Sequence, residues 1–111
     1  MDQIENLTIK EIFSLAVKNH QEGKTDIAQM FYNQVLKIDP NHSQAHNNLG
    51  VILQNQMNHE KAKDCYEKAI AIKPDYADAH NNLGIIFREL RENQKAKECY
   101  EKAIAINPNY A

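Results

Sequence analysis

The sequence predicts an all-α protein built from three consecutive helix pairs, and three observations support this prediction. First, the prolines Pro40, Pro74 and Pro108 are spaced 34 residues apart. Second, apolar side chains between the prolines recur at three- and four-residue spacing, which is the period of an amphipathic helix. Third, no stretch of any length shows the alternating apolar and polar pattern of a β-strand.

The 34-residue period divides the chain into units 9–42, 43–76 and 77–110, which follow an N-terminal extension of residues 1–8. The second and third units are identical at 20 of 34 positions, whereas the first is much less similar to both. An atypical terminal unit is common in stacked repeats. Residue 111 would begin a fourth unit, so we expect the chain to be an excerpt of a longer repeat protein. The recurring residues include Leu15, Leu49 and Leu83; Ala28, Ala62 and Ala96; and Tyr32, Tyr66 and Tyr100.

Each unit is expected to contain two helices, which in the third unit cover about 77–90 and 93–107. The first helix of the chain has a capping box, with Thr8 at the N-cap and Glu11 three residues later. Gly23 is expected to end that helix in the left-handed conformation, and residues 1–7 are expected to be frayed or loosely helical. The residues after the prolines are predicted N-caps of the following helices, namely Asn41, Asp75 and Asn109.

The composition excludes several classes of protein. The 111 residues are 25% charged and carry a net charge of −2, whereas a nucleic-acid-binding domain would show a basic surplus. No apolar run approaches the roughly 18 residues of a membrane span, and the N-terminus lacks the pattern of a signal peptide. Two cysteines cannot form a disulfide framework. We therefore expect a cytoplasmic protein with no nucleic-acid or membrane partner.

No catalytic or metal-binding constellation is evident, so we expect neither an enzyme nor a cofactor. His46 and His80 lie one unit apart, too far to share one zinc ion, and are expected to pack between helices. Cys65 and Cys99 are likewise one unit apart, beyond the Cα separation of about 7 Å that a disulfide allows. They are expected to be small buried side chains.

A 34-residue helix–turn–helix unit with this pattern resembles the tetratricopeptide repeat. The resemblance covers residues 9–110 and implies a right-handed superhelix of three antiparallel helix pairs, in which the first helix of each pair lines a concave groove. Such grooves typically hold an extended peptide or a partner's helix. His46, His80 and Ile12 depart from the tryptophan that the family often has at this place. The residues that carry the resemblance are Ala45, Asn48, Leu49, Gly50, Ala62, Tyr66, Ala69 and Pro74, their equivalents 34 residues later, and Leu15, Ala16, Ala28, Tyr32 and Pro40 in the first unit.

The resemblance and the helical periodicity together predict the side chains that face the groove. The predicted groove residues are Lys10, Phe13, Ser14 and Val17 in the first unit; Gln44, Asn47, Asn48, Val51 and Asn55 in the second; and Asp78, Asn81, Asn82, Ile85 and Arg88 in the third.

Two equivalent asparagine pairs, Asn47–Asn48 and Asn81–Asn82, are the most informative of these residues. A primary amide can both donate to and accept from a peptide group, so exposed asparagines at one-unit spacing could hold extended backbone. Asn48 and Asn82 are similar to the asparagine ladder of the O-linked N-acetylglucosamine transferase superhelix. An alternative is that these amides bond neighbouring helices and only build the superhelix.

The chaperone-binding relatives use Lys, Asn and Arg to hold a C-terminal carboxylate, and this chain departs from that pattern. The corresponding places hold Phe13, Val17, Asn48, Asp78 and Asn82. Only Asn48 fits, and Asp78 has the opposite charge. Recognition of a chaperone tail through a carboxylate clamp is therefore not expected.

Three functions remain open. The chain is predicted to be a protein–protein interaction module that binds a peptide or partner helix in the groove. Alternatively, it forms the N-terminal, substrate-presenting repeats of a longer enzyme of the glycosyltransferase or sulfotransferase type. A third possibility is a self-assembling scaffold, since the uncapped C-terminal end would expose Tyr100, Ile104 and Ile106 and favour a homo-oligomer.

Overall fold

The computed structural model describes residues 7–109, which form six α-helices and no strand. The helices are α1 (Ile9–Gln21), α2 (Thr25–Ile38), α3 (Ser43–Asn55), α4 (His59–Ile72), α5 (Ala77–Glu89) and α6 (Asn93–Ile106). Pairs α1–α2, α3–α4 and α5–α6 stack into an elongated body of 48 × 25 × 22 Å. This arrangement is the predicted all-α solenoid of three antiparallel helix pairs. The expectations for residues 1–6, 110 and 111 lie outside the described residues.

The helix ends follow local sequence signals with one correction. Thr8 caps α1, because its Oγ1 accepts a hydrogen bond from the backbone N–H of Glu11 while the Glu11 side chain bonds the N–H of Thr8. The predicted N-caps Asn41 and Asp75 are wrong by one residue, since α3 begins after His42 and α5 after Tyr76. The Nδ1 atom of His42 accepts from the N–H of Ala45 at 3.1 Å and so replaces the expected asparagine side chain.

The turn within each helix pair uses one residue in the left-handed conformation. Gly23 has φ = 80°, as its position at the end of α1 predicted. The equivalent residues, Met57 and Arg91, are not glycine and still adopt φ = 63° and 64°. A side chain at this φ costs roughly 1–2 kcal/mol, so these two turns store local strain that the first turn avoids.

The core lies between the two helices of each pair and between successive pairs. Tyr32 and Tyr66 are fully buried. A Cβ atom added at Gly50 would come within 2.6 Å of the Tyr66 ring, and one at Gly84 within 2.7 Å of the Tyr100 ring. Glycine at these places therefore allows the tyrosine ring to pack directly on the backbone of the first helix.

Contacts of the first helices with their neighbours position the groove. α3 packs directly on α5, while α2 and α4 each pack on the first helix before them and the first helix after them, and α6 packs on α5. The first helices therefore lie on the inner side of the stack. Within residues 7–109, no helix is long and apolar enough to span a membrane.

Candidate peptide-binding groove

The predicted groove residues fall into three levels of exposure along α1, α3 and α5. Six of them are exposed, seven are half-buried, and Asn47 is buried. The half-buried set includes Val17, Val51 and Ile85, which occupy equivalent places on the three helices and form what we call the apolar strip. The exposed residues are Lys10, Ser14, Gln44, Asn55, Asp78 and Arg88, and the remaining half-buried ones are Phe13, Asn48, Asn81 and Asn82.

The asparagine side chains bond one another across the unit boundary. The Nδ2 of Asn82 donates to the Oδ1 of Asn47 at 3.1 Å, and the Nδ2 of Asn47 lies 3.4 Å from the Oδ1 of Asn48. Asn47 is only 5% exposed, which differs from the expectation that all four amides face the groove. A buried amide needs hydrogen-bond partners, and Asn82 of the following unit supplies one.

The hydrogen bonding of Asn48 and Asn81 differs from that of the Asn47–Asn82 pair. The Nδ2 of Asn48 donates to the Tyr32 hydroxyl at 3.3 Å, so this amide links α3 to the preceding unit. The side chain of Asn81 makes no hydrogen bond within residues 7–109 and is half-buried. Among the described residues, the amide of Asn81 and the Oδ1 of Asn82 are therefore the groups of these four asparagines without a hydrogen-bond partner.

The first-unit end of the groove is aromatic rather than polar. Phe13 takes the place of Asn47 and packs on the His42 ring, with ring centroids 4.7 Å apart. Tyr32 lies behind Phe13 at 6.0 Å, and the Nδ1 of His20 is 3.3 Å from the Tyr32 hydroxyl. Sequence reasoning missed His42 as part of this cluster, because the residue before a helix was assigned to the turn.

Burial is the main cause of the pKa shifts of the groups around the groove. Burial raises the pKa of the Tyr32 hydroxyl, and the hydrogen bond from Asn48 partly opposes that shift. Burial also raises the pKa of Tyr76, and the nearby Asp78 carboxylate raises it further. Burial lowers the pKa of His20. The tyrosines therefore stay neutral near pH 7, and fixed charge in the groove comes from Lys10, Asp78 and Arg88.

The two histidines and two cysteines singled out in the sequence contribute to hydrogen bonding and packing within the fold. The Nε2 atoms of His46 and His80 each lie 2.8 Å from a proline carbonyl oxygen, that of Pro40 and Pro74 respectively. Both rings are buried, so they tie the start of a first helix to the preceding turn. Cys65 and Cys99 are free thiols, half-buried and buried, and burial raises the pKa of each.

Comparison with known proteins identifies the family. Sequence models of the tetratricopeptide repeat match residues 13–42 and 41–109. The chain belongs to the tetratricopeptide repeat family. No curated protein sequence matches it.

Two solved structures have a fold similar to that of this chain. The crystal structure of MamA aligns with a TM-score of 0.84 at 21% identity over 91% of this chain, which spans 59% of that chain. The first repeat domain of Spaghetti (RPAP3), bound to an HSP90 peptide of sequence SRMEEVD, aligns with a TM-score of 0.86 at 22% identity. That alignment covers 91% of this chain and 80% of the other. At these identities the likeness shows the fold, which in this family serves protein interaction.

Proposed function

We propose that the protein is a non-catalytic interaction module that binds an extended peptide segment in the groove formed by α1, α3 and α5. The observation that supports this most directly is the half-buried, equivalent placement of Val17, Val51 and Ile85 on the same three helices that carry the half-buried asparagines. An extended peptide alternates its side chains, so one face can pack on the apolar strip while its backbone reaches the amide.

The charges of the groove favour a neutral or mixed-charge ligand. Lys10 and Asp78 stand at equivalent places near the start of α1 and α5, and both are exposed. Asp78 would repel an acidic peptide tail such as the one bound by the RPAP3 domain, and Phe13 and Val17 offer no charge to a carboxylate. We infer that the ligand is an internal segment with apolar side chains rather than a free acidic C-terminus.

The intrinsic strength of this recognition is modest. Each amide-to-backbone hydrogen bond contributes about 0.5–1.5 kcal/mol net, and a fully buried aliphatic side chain contributes about 1.5–3 kcal/mol. Two bonds and two apolar side chains, after an association cost of at least about 4 kcal/mol, correspond to dissociation constants of about 0.1 mM or weaker. In a longer enzyme of the glycosyltransferase or sulfotransferase type, the same groove would present substrate, and we propose a cytoplasmic location for either role.

Selection from a random linear peptide library, followed by calorimetric titration of the selected peptides, tests the proposal. Asn81→Ala should weaken binding about tenfold, which equals one lost bond of about 1.4 kcal/mol, while the melting temperature stays unchanged. Asn33→Ala changes an exposed asparagine on the outer helix α2; it is the control and should leave binding intact. Selected peptides that bind Asn81→Ala and Ile85→Asp as well as the parent protein would contradict the groove proposal.

A further inference from the structure

The last turn of each first helix carries a side chain that stands next to the tyrosine of its own unit. In the first unit, the Nδ1 of His20 lies 3.3 Å from the Tyr32 hydroxyl. In the second, the Oε1 of Gln54 accepts a hydrogen bond from the Tyr66 hydroxyl at 2.7 Å. This place therefore supplies a hydrogen-bond partner for the buried tyrosine within each of these two units.

The third unit departs from this pattern, because the equivalent residue is Arg88. The Tyr100 hydroxyl is buried and makes no hydrogen bond among the described residues, while the Arg88 side chain is exposed. An arginine has no acceptor atom, so it cannot accept the hydroxyl proton as Gln54 does. Buried hydroxyls are normally bonded, and departures from such local rules are expected at functional sites.

The carboxylates that follow Arg88 in the sequence are held by other side chains. The Oε1 of Glu89 lies 2.9 Å from the Nε2 of His59 on α4. The Oε1 of Glu92 lies 3.2 Å from the Nζ of Lys95. Within residues 7–109, the Arg88 guanidinium takes part in no ion pair.

Arg88 lies on the same side of α5 as the groove residues Asn81 and Ile85. The three residues are at positions i, i+4 and i+7, which share one face of a helix. Asp78 stands ten residues before Arg88, about 15 Å along the helix axis. The groove side of α5 therefore carries negative charge at its start and an unpaired positive charge at its end, with an amide and an apolar side chain between them.

We propose that Arg88 is a specificity-determining residue of the groove, which binds the carboxylate of an aspartate or glutamate side chain within the peptide ligand. A guanidinium matches a carboxylate with two parallel N–H···O bonds, which are charge-assisted and stronger than neutral ones. Arg88 lies outside the places at which the chaperone-binding relatives hold a terminal carboxylate, so the acid belongs to an internal residue. The inference rests on the proposed function and adds one acidic side chain to the apolar peptide proposed there.

Selection of a random linear peptide library on the full chain and on its Arg88→Gln variant tests the proposal. Peptides selected by the parent chain should carry an acidic residue at one fixed position relative to their apolar residues, and those selected by Arg88→Gln should not. In calorimetric titrations, replacing that acid by its amide should weaken binding to the parent about tenfold and leave binding to Arg88→Gln unchanged. Arg91→Gln changes the other arginine, which is exposed in the turn after α5; it is the matched control and should behave like the parent.

The stability of Arg88→Gln gives a second measurement that needs no ligand. Glutamine at this place should accept from the Tyr100 hydroxyl as Gln54 accepts from Tyr66, so the melting temperature should rise by roughly 4 °C while the affinity falls. An unchanged or lower melting temperature, or selected peptides without a preferred acid, would overturn the proposal. Peptides that lose affinity for Ile85→Asp but keep it for Arg88→Gln would overturn this inference alone, whereas peptides that bind both variants like the parent would contradict the groove proposal as well.

Discussion

The three equivalent tyrosines provide a test in which one substitution is expected to have opposite effects at different places. Tyr→Phe removes only the hydroxyl and leaves the ring packing in place. Tyr66 donates to Gln54 at 2.7 Å, whereas the Tyr100 hydroxyl is buried without a partner among the described residues. The first substitution therefore removes a hydrogen bond, and the second removes a desolvated polar atom.

The magnitudes follow from the surroundings of each hydroxyl. Gln54 is half-buried, so its oxygen can regain water, and Tyr66→Phe should cost about 1 kcal/mol. Leaving a hydroxyl buried and unpaired costs about 1–3 kcal/mol, so Tyr100→Phe should stabilise the monomer by about 1 kcal/mol. For a domain of this size, each kcal/mol shifts the melting temperature by about 4 °C.

Thermal unfolding followed by circular dichroism at low micromolar concentration measures both changes. The melting temperature should fall for Tyr66→Phe and rise for Tyr100→Phe. A Tyr100→Phe variant that is as destabilised as Tyr66→Phe at low concentration would refute the reasoning.

Three further predictions concern stability. Gly50→Ala should destabilise the fold by about 1–3 kcal/mol, because the new Cβ would lie 2.6 Å from the buried Tyr66 ring; urea unfolding measures this, and an unchanged midpoint would contradict the close packing. Met57→Gly should stabilise by about 1 kcal/mol, since Met57 has φ = 63° and is 72% exposed; a loss of stability in the same assay would show that its side chain contributes more than the strain costs. Stability should fall as pH rises above about 9, because the unfolded chain releases protons from Cys65 and Cys99 that the folded chain, with their pKa values raised by burial, retains. Replacing both cysteines by Ala should flatten that decline in pH-dependent urea titrations, and an identical decline would assign it to other groups.

The sequence predicted the fold well because the same pattern of packing residues occurs in all three repeats. The 34-residue spacing of prolines, leucines and tyrosines determines where helices pair, and the capping box at Thr8 determines where α1 begins. N-cap identity was less predictable. An imidazole at His42 caps α3 as an asparagine would, and Tyr76 precedes α5 without any side-chain cap bond.

The sequence predicted which side chains lie on the groove side of the helices, but not their burial or their hydrogen bonds. Helical periodicity places Asn47 and Asn81 on the same face, yet one is buried and bonded to Asn82 while the other makes no bond in residues 7–109. The difference depends on whether a following first helix supplies a partner, which a single-helix pattern does not contain.

The most direct measurement of groove binding is a ¹H–¹⁵N titration of the full chain with a peptide selected from the library. The largest shifts are expected for the side-chain amides of Asn81 and Asn82 and for backbone amides of α1, α3 and α5 near the apolar strip. The amides of α2 and α4 should change little. Shifts confined to the second helices, with the Asn81 and Asn82 amides unmoved, would contradict the proposal that the first helices form the binding site.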